Sequence, residues 1–326
     1  MNAVALCTAV VVASTVPQKW WLRPELPTTN GKRHRNTNEM NEWMEKNGTS
    51  YATAWQQLSD VQWATMSAGD TLCISGAGFG EFSLPVGLAN VIIDGGCTNN
   101  DGATAAGTTQ IPRGLLVGGT PIPFQSGGST GWHEVDNTGI YRTVIAASPQ
   151  IFAAEVVLSN TVKEVGAGVV VLPTGLPAGV PGFTVRRLYQ APINCTTDGT
   201  STNLRPAAWR QGQFCNAPPL SNGSHALYYM PGPAIAGTSS VVSFQLHSTT
   251  VVGLYNTTNL TFQNFEVVGP AERLIDVAGG SNVVLVNNSL KWGSFAAIGY
   301  NYKSETGMGV QGGKVLRNTI TASGSG

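Results

Sequence analysis

The stretch VVGLYNTTNLTFQNFEVVGPAER at 251–273, followed directly by LIDVAGGSNVVLVNNSLKWGSFA at 274–296, is one 23-residue unit written twice. With one copy set above the other, Val252 aligns with Ile275, Leu254 with Val277, Leu260 with Val283, Phe262 with Leu285 and Val267 with Leu290, and every aligned pair is apolar. Within each copy the apolar residues recur at spacing two over short runs, which is the period of a β-strand. The runs are parted by Asn, Gly, Thr and Ser, which form tight turns. Asn259 aligns with Asn282 and Asn264 with Asn287, at turns where Asn tolerates left-handed backbone and side-chain amides can bond along a stack. A unit of this size made of strands cannot bury its own apolar face, so successive coils must stack around one continuous core. The expected fold is all-β, a right-handed parallel β-helix solenoid.

Working outward, VLRNTI at 315–320 repeats LVNNSL at 285–290 after 30 residues rather than 23, with the extra residues in a loop within GYNYKSETGMG at 299–309. ANVIIDGG at 89–96 repeats SNVVLVNN at 281–288, and SAGDTLCISGAGFGEF at 67–82 reads as strand, Gly-rich turn and strand. The first coils therefore occupy 67–97. Upstream, SYATAWQQLSDVQWATM at 50–66 has Ala54, Trp55, Leu58 and Val61 at helical spacing behind Thr49 and Ser50 as potential caps. A helix there would cover the open end of the solenoid, within an N-terminal segment spanning 16–66. The span 98–240 breaks the rhythm and is expected to be a β-rich insertion or lateral subdomain, with coils resuming at VVSFQL and running over 241–326. Its two similar endings, GFTVRRLYQAP at 182–192 and HALYYMPGP at 225–233, read as paired small strands or as an aromatic carbohydrate-contacting surface. VLRNTITASGSG stops in mid-coil, which predicts a longer native chain whose further coils carry part of the chemistry.

The chain has 326 residues with 18 basic and 18 acidic side chains, 42% hydrophobic residues and 40 glycines. The surface must then be built mainly from neutral hydrogen-bonding groups, which suits sugars. A formal charge of zero with no sustained basic stripe argues against a nucleic-acid binder, since counterion release needs clustered Lys and Arg. The basic run Lys32, Arg33, His34 and Arg35 reads as a solvated loop. AVALCTAVVVAS at 3–14 has the length of a signal-peptide core, giving a cleaved segment of about residues 1–15, although no Lys or Arg precedes it and a buried first strand would look the same. It is too short to span a membrane. The expected location is extracellular.

Of five cysteines, four remain if Cys7 departs with the signal, an even count that fits an oxidising compartment. The local pairing Cys73 with Cys97 and Cys195 with Cys215 is favoured among the three possible, because 73 and 97 fall on neighbouring predicted strands; buried free thiols are the alternative. Six Asn-x-Ser/Thr sequons, at Asn47, Asn194, Asn222, Asn256, Asn259 and Asn287, permit glycosylation without requiring it.

GTSYATAW at 48–55, AGDTLCISG at 68–76, ANVIIDGG at 89–96 and SNVVLVNN at 281–288, taken in order, resemble the secreted right-handed β-helix proteins of the pectate-lyase-like superfamily. GWHEVDNTGIYRTVI at 131–145 and ALYYMPG at 226–232 resemble segments that members carry before the main coils resume. The resemblance implies a secreted polysaccharide lyase or glycoside hydrolase with its glycan along one face of the solenoid. The superfamily also holds non-catalytic carbohydrate-binding proteins, adhesins and tailspikes, so fold alone does not choose.

Hydrolysis needs two carboxylates about 5–9 Å apart. Asp276, between the inward Ile275 and Val277, should point outward, but strict spacing sets Gly253 and Gly299 beside it and no second carboxylate. Elimination needs a cationic base near a uronate, for which Arg273, Lys291, Lys303 and Arg317 are the candidates. The resemblance adds Ca²⁺, for which Glu266, Glu272 and Glu305 could supply oxygens. The protruding segment with Tyr300, Tyr302, Lys303 and Glu305 gathers ring, cation and carboxylate. The expected catalytic set is thus Asp276, Lys291, Lys303 and Glu305, with Tyr300, Tyr302, Arg273 and Arg317 for substrate. Each is also what a solvated turn carries. The cluster of His133, Glu134, Asp136 and Arg142 matches no metal spacing and is expected to orient Trp132 and Tyr141.

Overall fold

The computed structural model describes residues 17–22, 48–49, 54–55, 57–97, 114–123, 132–135, 138–145, 153–159, 183–190, 209–231, 238–244, 250–301 and 309–321. The apolar segment at 3–14 and the basic run at 32–35 lie outside them, as do Asp136, Cys195, Tyr302, Lys303 and Glu305.

The chain is an all-β parallel β-helix. One face is a six-stranded parallel sheet ordered β1 (Lys19–Leu22), β2 (Thr71–Ile74), β5 (Ile92–Asp94), β16 (Thr261–Gln263), β18 (Val284–Val286) and β20 (Lys314–Leu316). Its central row is Leu72, Ile93, Phe262, Leu285 and Val315, each the backbone partner of the next. The partners Phe262 and Leu285 lie 23 apart and Leu285 and Val315 lie 30 apart, as the aligned copies require. Leu72, Ile93, Phe262 and Leu285 are wholly buried, each side chain contributing about 1.5–3 kcal/mol by leaving water.

The rest of each coil lies on two further faces. β17 (Glu266–Ala278) and β19 (Ser289–Asn301) are long strands bent near Gly269–Pro270 and Trp292–Gly293. Their first residues, with β3 (Ala77–Phe79), β6 (Leu115–Val117) and β21 (Thr319–Thr321), make a short face. Their remainder, with β4 (Phe82–Ser83) and β15 (Thr250–Tyr255), makes a long face. The backbone is crowded at the bend: a Cβ on Gly269 would collide with the Trp292 carbonyl.

Between the sheets the turns are held by asparagines in left-handed backbone. Asn282 Nδ2 donates to Asn259 Oδ1 (2.9 Å) and Asn259 Nδ2 to Asn90 Oδ1 (2.9 Å), all three residues having positive φ. At the next corner Asn287 Nδ2 donates to Asn264 Oδ1 (2.7 Å) and Asn264 Nδ2 to Asp94 Oδ1 (2.8 Å). Asn288 lies inside the corner, where its side chain accepts from the Phe265 amide and donates to the Phe262 carbonyl. Those backbone groups would otherwise be orphaned in the core.

The remaining strands form an eight-stranded, mainly antiparallel sheet of different character. Its order is β7 (Thr120–Pro123), β14 (Thr238–Phe244), β10 (Ala153–Ser159), β11 (Phe183–Gln190), β12 (Gln213–Pro219), β13 (His225–Met230), β9 (Tyr141–Ile145) and β8 (His133–Glu134). It leaves the solenoid just after Gly118, beside Pro270 and Ala271 of the next coil, so it grows from the corner between the short and long faces. Part of it packs on each side of β12 and β13. Trp132, Leu188, Phe214, Leu227 and Tyr229 cluster on one side, and Ile140, Trp209, Cys215, Ala217, Ala226 and Tyr228 on the other.

Four expectations need correction. The helix over 50–66 is replaced, in its described part, by two short 3₁₀ turns, Leu58–Asp60 and Trp63–Thr65. Val61 between them is extended, which lets it enter the core with Trp55, and Asp60 Oδ2 accepts the Gln57 amide to cap the start of the first turn. VVSFQL does not resume the coils: β14 pairs antiparallel with β10 and β7, and the solenoid re-enters at β15. β6, inside the span assigned to the insertion, belongs to the short face. Finally, the strands at 183–190 and 225–230 are separated by β12, and Tyr228 and Tyr229 are wholly buried, so those two rings form no sugar-contacting surface.

Cys73 is bonded to Cys97, joining neighbouring coils. Cys215 is also disulfide-bonded, and its expected partner Cys195 lies outside the described residues. No helix among the described residues is long and apolar enough to cross a membrane.

Candidate functional site

Alternation along the long face turns Ile275 and Val277 inward and sends Asp276 out, in a backbone row Ser83, Gly253, Asp276, Gly299. The glycines on either side are what the carboxylate requires. A Cβ on Gly299 would stand 2.8 Å from Asp276 Oδ1 and 2.9 Å from Arg273 Cδ, and one on Gly253 would press on the Tyr255 ring at 2.7 Å and on Ser83 Oγ at 2.9 Å. The space that side chains at these positions would take is filled by Tyr255 and Ser83 over Gly253 and by Asp276, Arg273 and Asn301 over Gly299.

Asp276 is 7% exposed, its Oδ1 accepts from Asn301 Nδ2, and its Oδ2 lies 3.7 Å from Arg273 Nη1. Burial pushes its carboxyl above the usual range, and the Arg273 guanidinium and the Asn301 amide only partly offset this. Arg273 is shared: Nη2 lies 3.7 Å from Glu272 Oε1, and its Cζ sits 5.7 Å from the centroid of Phe295, which is 64% exposed. An exposed apolar ring beside a cation and a carboxylate is a platform on which the C–H face of a sugar can lie.

A second carboxylate, Glu81 next to β4, acts electrostatically on the same ring. Burial raises the Tyr255 phenol, and the charges of Asp276 and then Glu81 raise it further. Glu81 is oriented by Ser83, whose hydroxyl donates to Glu81 Oε1 at 2.6 Å. Ser83 and Asp276 are two rungs apart, about 9–10 Å at ordinary strand spacing. The expected spacing holds, with Gly253 and Gly299 beside Asp276; the carboxylate that raises Asp276 further is Glu272, while Glu81 comes from a coil earlier in the sequence, across the long excursion that separates β4 from β15.

The other expected residues go elsewhere. Lys291 is on the short face, where its Nζ pairs with Glu266 Oε1 at 2.7 Å. Arg317 takes the left-handed turn position beyond β20 and is exposed, away from the long face. Tyr300 partners Val277 in the inward row, and its ring lies over Gly313. Only Asp276 and Arg273 of the described set converge. Glu81, Tyr255, Phe295 and Asn301 were missed. Asn301 alone was within reach, since strand alternation from Asp276 puts it on the same face one row over.

Calcium does not fit what is described. Glu266 and Glu272 occupy different faces, each with a cationic partner, and among the described residues no three His, Cys, Asp or Glu side chains cluster. The cluster at 133–142 is a hairpin in which His133 and Glu134 pair with Arg142 and Tyr141, and the buried Trp132 packs against Tyr229 with centroids 5.4 Å apart.

No family model and no curated protein matches the sequence. Among solved structures, the chain is similar to XylC, whose structure is a complex with xylose, at 10% identity and a TM-score of 0.43. The match covers 89% of this chain and 43% of XylC, so the chain spans less than half of that protein. A likeness at this level bears on neither substrate nor mechanism.

Proposed function

We propose that this β-helix hydrolyses a glycan lying across the long face, with Asp276 as general acid and Glu81 as general base. One observation carries the proposal: Asp276 and Glu81 come from different coils of the long face, Asp276 on β17 and Glu81 next to β4, and the charges of both act on the Tyr255 phenol of the strand between them. Their environments differ as the two roles require. Asp276 is buried and holds its proton to higher pH, so it can protonate the departing glycosidic oxygen. Glu81 lies at the exposed edge, bonded to Ser83, where it can take a proton from attacking water. Phe295 offers a stacking surface and Arg273 a donor to sugar hydroxyls. Elimination is less favoured, because Arg273 and Lys291 are both held by carboxylates. The bridge between Cys73 and Cys97 supports an extracellular site of action.

The test is release of reducing ends from a panel of neutral and uronic polysaccharides. D276N and E81Q should each lower turnover by about 10²–10⁴-fold with unchanged circular dichroism. Turnover untouched by D276N, or a product that is only the unsaturated sugar of elimination, would overturn the proposal.

A further inference from the structure

Four of the six sequons fall on described residues, and the fold treats them unequally. Asn259 donates its Nδ2 to Asn90 while its Oδ1 accepts from Asn282, and Asn287 donates its Nδ2 to Asn264, so both amide nitrogens are spent in the turn ladders. Asn256 has left-handed backbone, its Oδ1 lies where a Cβ on Gly279 would be, and the next residue, Thr257, is wholly buried. A glycan on any of these three would separate coils that the ladders hold together.

Asn222 is the exception. It is exposed at the tip of the turn joining β12 to β13, a turn closed by the Leu220 amide on the Ser224 carbonyl (2.7 Å) and the Gly223 amide on the Leu220 carbonyl (2.8 Å). Its Oδ1 accepts from the Ser224 amide at 3.0 Å and from the Ser224 hydroxyl at 2.6 Å. Its Nδ2 donates to no described residue, and the space around Gly223 is open to 4 Å. The sequon hydroxyl therefore already polarises the amide carbonyl, withdrawing density from a nitrogen that faces solvent.

From this geometry we infer that Asn222 is an N-glycosylation site and that Asn256, Asn259 and Asn287 are not sites in the folded protein. The donor is a glycosyl pyrophosphate, either nucleotide- or lipid-linked. The bond from Asn222 Nδ2 to the sugar C1 forms, the bond from C1 to the pyrophosphate oxygen breaks, the pyrophosphate leaves with the bonding pair, and the Nδ2 proton passes to the transferase. The modification would decorate the antiparallel sheet and leave the long face clear.

The test treats the purified full chain with a soluble N-glucosyltransferase and UDP-glucose, beside synthetic peptides spanning each of the four sequons, and maps hexose by tandem mass spectrometry. In the folded chain, transfer at Asn222 should exceed transfer at each of the other three by at least tenfold, while the four peptides should differ far less. N222Q should remove the added hexose and S224A should slow its addition. Initial transfer at Asn259 or Asn287 in the folded chain, no transfer at Asn222, or the same preference in peptides and protein would overturn the inference.

Discussion

The solenoid and the antiparallel sheet solve the same problem, burying strands, by opposite means. In the solenoid each residue meets its own equivalent one coil on, so the partner of Phe262 is Leu285 and the partner of Asn259 at the turn is Asn282. In the sheet, partners bear no such relation: Ala153 meets Phe244 and Tyr141 meets Tyr229. A parallel stack therefore accepts only residues that tolerate their own kind at strand spacing. Apolar side chains and amides do. Like charges directly opposite repel, and glycine stands on both sides of Asp276. The sheet is free of that rule and instead buries aromatic rings on both sides of β12 and β13.

If the two regions are separate cooperative units, core truncations should stay local. Phe214→Ala should cost about 3–5 kcal/mol and Leu285→Ala about 2–5 kcal/mol. Hydrogen exchange should accelerate in β9, β12 and β13 for the first and in β16, β18 and the long strands for the second. Uniform loss of protection in either variant would break the comparison and make the molecule one unit. Next in size, Asn288→Ala should cost about 1–3 kcal/mol for each buried backbone group it orphans. Urea titration measures it, and a cost near zero would mean that water replaces the amide. Asn259→Ala, on an exposed ladder, should cost only about 0.5–1.5 kcal/mol.

Two buried aspartates give a finer test within the solenoid. Asp70 accepts from the Gln18 and Ser67 amides and the Trp20 indole. Burial alone would push its carboxyl up, but these bonds outweigh burial and hold it below the ordinary range. It therefore adds stability that is present above the unfolded carboxylate value and lost as pH falls through the lower folded value. Asp276 is shifted upward, so the folded state binds its proton more tightly and stability declines as pH rises from the ordinary carboxylate value through the raised one. D276N should gain stability relative to the native protein over that window, while D70N should lose it above the ordinary carboxylate value. Urea midpoints across a pH series would show it, and parallel profiles would mean that Asp276 is not the strained group.

The β-helix was legible because a repeat is a local signal read twice: the 23- and 30-residue spacings became backbone pairs without adjustment. The outward direction of Asp276 followed from strand alternation for the same reason. Glu81 was illegible, because β4 is two residues long and its partner in β15 lies some 170 positions on, a register that no periodicity carries. VVSFQL misled because four apolar or small residues in alternation look alike in a coil and in an antiparallel strand. The segment at 57–66 has helical spacing, yet Val61 gains more by extending into the core beside Trp55 than by completing a helical turn.

The sequence by itself determined how the coils stack and where asparagine turns them, since both follow from a short unit meeting its own copy. Tertiary structure alone decided where the excursion at Gly118 returns to the solenoid. That return sets β15 between β4 and β17 and leaves Asn222 at an open hairpin tip, because closing a long insertion onto a fixed corner sets contacts between residues that share no local pattern.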